Sequence, residues 1–497
     1  MNVLVVKKKY GSFETFDGSK KANKCLPYDF IIRTDNGCSL SRRNEHPLLV
    51  GILGTTGSKY GFTSHGNPIY LCKPLDERYP SFYIGSKIKD ILSNKLITFK
   101  FDSWPENSEF PKGTFVDLLG NCGDNLAELK ATLLKANGYS WPKILPTIVT
   151  PSNEHRTYID TYTFNIDPDG CRDIDDCISI STNKLIISIA DVSAWVTVNP
   201  WMKRAEYMAT SLYQNGKCVK PMFPKVLSED LMSLVERSER LAYSLIITFN
   251  ETISYEFKET IVKVNKSHTY DSIYNDPICS SLKEYVTRIS GIETEDSHKW
   301  VEILMLYYNT KAGELLKLKN SGILRAQKGV NIEMAKLFEE FSDNYNYLCF
   351  ESAKYCLPSE NTSHSQLNLQ HYAHASSPIR RYVDIINQLA LKDKEVSYES
   401  IERFNSCQKL AKQFERDLIY IDLYKNKRVI QGVVLNSENV FIVDLKKIIK
   451  LNNTFEKGSN IELVYYMNPQ GVKWKERIVF KCVNQMCKYN ESGFAIL

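Results

Sequence analysis

Five aspartates, Asp167, Asp169, Asp173, Asp175 and Asp176, fall within ten residues of the stretch Phe164-Asn-Ile-Asp-Pro-Asp-Gly-Cys-Arg-Asp-Ile-Asp-Asp-Cys-Ile-Ser-Ile180. Carboxylates packed this closely raise one another's pKa values, so the group is tolerable only when fully solvated or when a cation occupies its centre. Asp167-Pro168 begins a turn after a strand, and Gly170 permits a positive φ. The backbone can then fold back and aim Asp173, Asp175 and Asp176 at the space beside Asp167. Hard oxygen donors around a small cavity select Mg²⁺ or Mn²⁺, ions that bridge to phosphate oxygens. Phosphodiester hydrolysis uses such an arrangement: a metal pair about 3.5–4 Å apart activates a water and stabilises the leaving 3′ oxygen. An EF-hand does not fit, because the glycine falls fourth rather than sixth and Ile178 takes the twelfth place. On these residues alone an acidic surface turn is the plain alternative.

A second stretch decides against it. Tyr372-Ala-His-Ala-Ser-Ser-Pro-Ile-Arg-Arg-Tyr-Val-Asp384 places Arg380 and Arg381 at a helix start after Pro378. Arginine holds a phosphate through paired donors and offsets the charge of its transition state.

The elements that must position these residues are readable from periodicity. Short β-type runs separated by Gly, Asn, Ser and Pro extend from Val3 to about Asp117: Phe30–Thr34, Leu48–Leu53, Ile69–Leu71 and Leu96–Phe101. They predict one or two small β-barrels. Lys7, Lys8, Lys9, Lys20 and Lys21 accompany Tyr10, Phe13 and Phe16, a mixture that suits single-stranded nucleic acid and equally a solvated edge over ordinary core aromatics. Helical spacing at Asn125–Ala136, then Pro142, Pro146 and Pro151, predicts a connector. Strand-like runs at Leu185–Ala190, Ala242–Phe249 and Ile253–Val264 enclose a predicted helix at Arg204–Leu212. Trp300, Val301, Leu304, Met305, Tyr308, Ala312 and Leu315 recur at three- and four-residue steps, the buried face of a helix, and Met334–Phe341 and Tyr398–Tyr424 repeat the pattern. Strands return at Val429–Leu435, Val440–Leu445, Asn460–Tyr466 and Ile478–Val483.

Composition sets outer bounds. A chain of 497 residues with 43% hydrophobic and 24% charged residues is globular and long enough for several domains. A net charge of +5 is compatible with a nucleic-acid partner without requiring one. No stretch of 18 apolar residues occurs and the N-terminus lacks signal-peptide order, so a soluble protein with no membrane partner is expected. Thirteen scattered cysteines without a Cys-x-x-Cys pair read as free thiols in a reducing, cytoplasmic compartment rather than as a zinc site.

Together the aspartate turn and the Ser-Pro-Ile-Arg-Arg-Tyr-x-Asp segment resemble the RNB domain of the ribonuclease II and ribonuclease R family, which includes the exosome's catalytic subunit. Further landmarks occur in family order: Gly120-Asn-Cys-Gly-Asp124, Ala190-Asp-Val-Ser-Ala-Trp195, Thr210-Ser-Leu-Tyr213, Pro221-Met-Phe-Pro224 with Leu227-Ser228, Ser297-His-Lys299 through Asn309, and Glu415-Arg-Asp417. The resemblance spans roughly residues 116–420. It implies an α+β catalytic RNB domain flanked by small all-β OB-type barrels, two N-terminal and cold-shock-like, one C-terminal. The implied division is a barrel at 1–60, a second at 61–118, a connector at 119–154, the catalytic domain at 155–424 and a last barrel at 425–497.

By the same resemblance the protein is a magnesium-dependent 3′-to-5′ exoribonuclease that hydrolyses single-stranded RNA to nucleoside 5′-monophosphates. Asp167, Asp173, Asp175 and Asp176 are the implied Mg²⁺ carboxylates, with Mn²⁺ as a substitute. Arg380 is implied to contact the scissile phosphate and Tyr213 to stack on a base near the 3′ end. Arg381 is either a second substrate contact or a helix-surface cation. Glu302, Glu415, His371 and His374 read as structural rather than catalytic. Membership of a larger RNA-processing assembly is a further implication. A catalytically inactive RNA-binding or scaffold protein on the same fold is the alternative, and single-stranded DNA remains open as substrate. The chain also departs from the family. Ser280 to Ser297 leaves little room for a β-hairpin that carries a base-stacking aromatic, Gln366-Leu-Asn-Leu369 stands where relatives have Gly-Leu-Gly-Leu, and Gln388 replaces a histidine.

Overall fold

The structure, a computed structural model, describes residues 2–3, 24–27, 29–34, 37–43, 45–338, 349–468 and 474–482. Two compact units form, one from residues 1–139, 333–346 and 408–497, the other from 140–332 and 347–407.

In the first unit five strands close into a barrel: Leu49–Leu53, Ile69–Pro74, Phe82–Gly85, Lys95–Ser103 and Lys112–Asn121. Side chains alternate across the barrel wall with period two, which puts Leu49, Tyr70, Phe82, Ile84, Ile97 and Phe99 inside. The barrel joins Leu49–Leu53 to strands beyond residue 60, so it runs across the 60/61 boundary expected from the sequence. The helix Asn125–Ala136 is not a linker. Asp124 caps it by accepting from the Ala127 amide at 2.8 Å, and Ala127 and Ala131 pack on Val50, Leu75 and Leu96 of the barrel. Asn2–Val3, Phe30–Thr34 and Gly37–Arg42 form a three-stranded sheet, and five strands between Ile430 and Cys482 form an antiparallel sheet. Among the described residues the 49–121 barrel is the one that closes. The lysines and aromatics between Lys7 and Lys21 lie outside the described residues.

The second unit is built on a seven-stranded sheet in the order Lys266–His268, Thr163–Ile166, Asp176–Ser181, Lys184–Ala190, Glu239–Phe249, Ile253–Lys263, Thr157–Tyr158. The inner pairings are antiparallel and the outermost on each side is parallel. Ile178, Ile187, Leu245 and Ile247 on the sheet share one core with Leu282, Val286, Trp300, Leu304 and Tyr308 of the helices Ile278–Ser290 and Ser297–Leu318. This α+β arrangement is the expected one.

Gly313 lets the second of these helices press on the chain before the arginines: a Cβ there would stand 2.9 Å from the Tyr372 Cα. The expected helix at Arg204–Leu212 is cut short. A 3₁₀ turn at Pro200–Arg204 and a single helical turn at Ala205–Met208 end where Ala209 takes φ 61°. The backbone is then claimed by tertiary pairing, since Tyr382 donates to the Ala209 carbonyl at 2.9 Å and Ser211 to that of Arg380 at 3.0 Å. Between Ile278–Ser290, closed by Gly291 at φ 70°, and the cap Asp296 the link is short and holds no strand.

Candidate active site

The strand Thr163–Ile166 delivers Asp167, whose amide donates to the His268 carbonyl at 3.0 Å on the neighbouring strand. The chain turns through Gly170 at φ 74°, the positive value that the glycine was expected to supply. It is then pinned from both sides. The Ile174 amide donates to Ser233 Oγ at 2.9 Å, Ser233 Oγ donates to the Arg172 carbonyl at 2.7 Å, and the Leu234 amide donates to the Ile174 carbonyl at 3.0 Å. Ala190 donates to the Asp175 carbonyl at 2.8 Å, and Asp176 enters the sheet opposite Ile189. A turn tied at four points holds Asp173, Asp175 and Asp176 beside Asp167. Asp169 is exposed at the turn's tip, so the cluster has four members.

The arginine segment is held just as firmly. Asn309, on the long helix, accepts from the Ala375 amide at 2.8 Å and donates to Ser376 Oγ at 3.0 Å. Asp384, on the helix Tyr382–Leu391, accepts from the Ser377 amide at 2.7 Å. Arg380 and Arg381 therefore lie just before the helix, with Arg381 at its cap position. This geometry brings the Ile379 amide to Asp175 Oδ1 at 2.8 Å and Arg380 Nε to Asp175 Oδ2 at 3.1 Å. Arg380 Nη2 donates to Ser377 Oγ at 2.8 Å, and the side chain stays 44% exposed, open to a ligand.

Burial is the main cause that lifts three of the carboxyl groups. It pushes Asp167 up to about 7, helped by the charges of Asp175 and Asp173 and opposed by a hydrogen bond from Cys171 and by Arg380. Asp176 rises to about 8, with Asp167 adding to the effect of burial. Asp175 rises to about 7 even though Arg380 and the Ile379 amide favour its charged form. Burial works against the charge on Arg380, and Asp175 above all outweighs it. Sites where burial and neighbouring charges displace several pKa values together are functional candidates.

A divalent cation fits this donor set. Asp167 Oδ2 is buried and lacks a hydrogen-bond partner among the described residues, and the three carboxyl groups of Asp167, Asp175 and Asp176, which burial penalises, would be relieved by positive charge. Among the described residues no three Asp, Glu, His or Cys side chains enclose a common ion position. Asp167 and Asp176 could be its principal holders. Asp173 and Asp175 carry protein partners on some of their oxygens, Asp173 Oδ2 accepting from the Tyr213 hydroxyl at 2.7 Å.

That contact places Tyr213, on the hairpin strand Leu212–Gln214, at the edge of the cluster. Arg381 is turned to other duty: its Nη2 donates to the buried Asp384 at 2.8 Å, which favours the structural reading over a substrate contact. His371 is bonded to Thr362 Oγ1 at 2.7 Å and His374 to the Tyr355 hydroxyl at 2.9 Å, and Glu302 pairs with Lys299 on an exposed face. Glu415 is exposed on the helix Ile401–Lys425. Gln388 is buried, and its Nε2 donates to the Ala190 carbonyl at 2.8 Å.

Two groups near the cluster carried no signal in the sequence. Cys171 lies inside the aspartate turn with Sγ 3.7 Å from Asp173 Oδ1. Tyr270, in Ser-His-Thr-Tyr-Asp-Ser, is pushed up to about 12 by burial, then by the charges of Asp167 and Asp176. A lone tyrosine between a strand and a turn has no periodicity that would mark it.

On this mixed sheet an acidic turn is tied to an exposed arginine, which sets carboxylate oxygens beside guanidinium donors. Comparison gives the family. The RNB domain family matches residues 155–276 and 275–394, so this part of the chain is an RNB domain, and residues 69–137 match the Dis3-like cold-shock domain 2 (CSD2). The exosome complex exonuclease RRP44 of Mus musculus is 29% identical over 242 residues, which cover 43% of this chain. The chain spans only 25% of that relative's length. Among solved structures, Mycoplasma genitalium RNase R in complex with ribose methylated single-stranded RNA is similar at TM-score 0.67 and 16% identity, covering 97% of this chain and 100% of the other. Yeast Ssd1, a pseudonuclease, is similar at TM-score 0.62 and 16% identity, covering 86% and 68%.

Proposed function

We propose that the protein is a divalent-metal-dependent 3′-to-5′ exoribonuclease that hydrolyses single-stranded RNA to nucleoside 5′-monophosphates. The observation that carries this reading is the contact of Arg380 with Asp175 at 3.1 Å, which unites a phosphate-binding cation with the acidic turn. In this reading Mg²⁺ or Mn²⁺ is held by Asp167 and Asp176 with Asp173 and Asp175, and supplies Lewis acidity at the phosphate. Arg380 binds a non-bridging oxygen of the scissile phosphate through donors not spent on Asp175 or Ser377. Asp175 fixes the guanidinium plane, and the Ile379 amide fixes Asp175. Tyr213 lies against Asp173, where its ring can meet a base next to that phosphate. The likeness to a relative named as an exonuclease supports the reaction class.

The likeness to a pseudonuclease supports a second reading, an RNA-binding protein without cleavage. The four gathered aspartates favour the enzyme, since carboxylates buried without a cation repel RNA phosphates and stabilise nothing. Digestion of body-labelled single-stranded RNA followed by chromatography tests the reading. Nucleoside 5′-monophosphates are the expected product, while 3′-phosphates, or bound but uncut RNA, contradict it.

A further inference from the structure

The strand Leu212–Gln214 pairs with Lys217–Lys220 in a tight hairpin, and the two residues between them, Asn215 and Gly216, take φ 49° and 77°. Asn-Gly is the pair that adopts such left-handed values most readily, so the sequence itself sets where this hairpin turns. The register slips between Leu212, opposite Lys220, and Tyr213, opposite Cys218. A bulge of this kind re-aims the side chain beside it. Leu212 is buried, whereas Tyr213 is half-buried and reaches its hydroxyl to Asp173 Oδ2 at 2.7 Å.

The foot of the hairpin is tied to the arginine segment. The Ser211 amide and the Thr210 hydroxyl both donate to the Arg380 carbonyl, at 3.0 and 3.1 Å, and Ser211 Oγ accepts from the Met222 amide at 2.8 Å. Arg380 in turn donates to Asp175, two residues beyond Asp173 on the acidic turn, at 3.1 Å. These contacts close a circuit that runs from Asp173 through Tyr213, Ser211, Arg380 and Asp175 and back along the turn. Within it Asp173 is met at both oxygens, since Cys171 Sγ lies 3.7 Å from Oδ1. A carboxylate has about four lone-pair directions, so two such contacts fix its plane and leave directions open to a cation. Donors that orient a metal-binding carboxylate in this way govern its affinity without touching the metal.

We propose, resting on the reading of the carboxylates as a divalent-cation site, that the Tyr213 hydroxyl is a positioning group for that cation: it fixes the Asp173 carboxylate and so sets metal affinity from the hairpin. The role is separate from any contact of the ring with a base. Because the hairpin foot is bonded to Arg380, the cation and the phosphate-binding arginine are held by one set of hydrogen bonds, and loss of the hydroxyl opens that set beside the metal.

The test measures free Mn²⁺ by electron paramagnetic resonance in titrations of the full chain without RNA, for the parent, Tyr213→Phe and Tyr213→Ala. Removal of the hydroxyl should weaken Mn²⁺ binding roughly 10- to 100-fold, the usual cost of losing a group that orients a metal ligand. The two variants should lose equally, because the ring has no part in the effect. Circular dichroism melts in EDTA check that each variant is folded, and Tyr213→Phe decides alone if the alanine variant is not. In single-turnover assays on 5′-labelled single-stranded RNA, the Mg²⁺ concentration for half-maximal rate should rise by the same factor in Tyr213→Phe, and added Mg²⁺ should restore most of the rate lost at low Mg²⁺. Parent affinity for Mn²⁺ in Tyr213→Phe, a loss confined to Tyr213→Ala, or a Tyr213→Phe defect that no Mg²⁺ concentration relieves overturns the proposal. The expected Mn²⁺ shifts in a protein that never cuts RNA would uphold the positioning role while defeating the nuclease reading. A parent that binds no Mn²⁺ would defeat both.

Discussion

Arg380 donates through Nε to Asp175 at 3.1 Å, and the residue before it donates its backbone amide to the same carboxylate at 2.8 Å. Two segments about two hundred residues apart in sequence are thus fixed to each other at one carboxyl group. Both oxygens of Asp175 are engaged in this arrangement, and Arg380 gives a further donor, Nη2, to Ser377 Oγ.

Arg380→Ala should lower kcat by about 100- to 1000-fold, the usual cost of removing one charged donor from a transition state. Affinity for RNA, measured in EDTA, should change far less. Arg380→Lys should recover little, because an ammonium cannot satisfy Asp175 and a phosphate oxygen with one planar fork. Equal losses in kcat and affinity would make Arg380 a plain binding cation.

Tyr213 allows ring and hydroxyl to be separated. Tyr213→Phe removes the 2.7 Å hydrogen bond to Asp173 and keeps the ring, whereas Tyr213→Ala removes both. If the ring holds a base, the alanine variant should change the length of the final undigested fragment, read on a sequencing gel, and the phenylalanine variant should not. The same end product from both variants and the parent would count against stacking.

Metal-free protein should show an inverted pH response. Asp167, Asp175 and Asp176 are held up to about 7, 7 and 8, above their ordinary value, so the folded chain keeps protons that the unfolded chain releases. Stability in EDTA should then fall as pH rises from about 4 through 8. Added Mg²⁺ should raise the melting temperature most at the upper end, and Asp176→Asn should flatten both trends. Melting curves in EDTA that rise toward pH 8 would contradict this account.

Asp191 behaves in the opposite sense. It is buried, which by itself disfavours its charge, yet Lys392 and Arg156 hold it down to about 2. Its carboxylate accepts from Arg156 Nη2 at 2.7 Å and from Ser193 Oγ at 2.7 Å, and it caps the helix Val192–Val198 beside the strand that pairs with Asp176. A lowered pKa contributes stability above the ordinary carboxylate value that is lost as pH falls from about 4 toward 2. Asp191→Asn should cost about 3–5 kcal/mol in denaturant unfolding at neutral pH, because it leaves buried cations without their anion.

Much of this site was legible in the sequence. The spacing of Asp167, Asp173, Asp175 and Asp176, with Gly170 at the bend, predicts the turn, and Asn125–Ala136 appears with its expected bounds. What escaped reading depends on tertiary contact. The helix expected at Arg204–Leu212 gives way because Ala209 and Ser211 pair with the backbone of the arginine segment. Arg381 has the same residue type as Arg380 one position away, and only Asp384 three residues on shows that its charge is spent internally. The contact of Tyr213 with Asp173 joins separate elements, and nothing in either local sequence announces it. The 60/61 boundary misses because barrel closure joins strands distant in sequence, a pairing that alternation within each strand cannot reveal.

The central claim is that the acidic turn and Arg380 cut RNA from its 3′ end with a divalent ion. The most direct measurement is a time course of 5′-labelled single-stranded RNA with the protein in Mg²⁺, in EDTA, and with Asp176→Asn. The account predicts a ladder that shortens progressively from the 3′ end in Mg²⁺, no shortening in EDTA, and near-complete loss in the variant. RNA that shifts on a native gel with parent and variant alike, and stays full length in Mg²⁺, would contradict it.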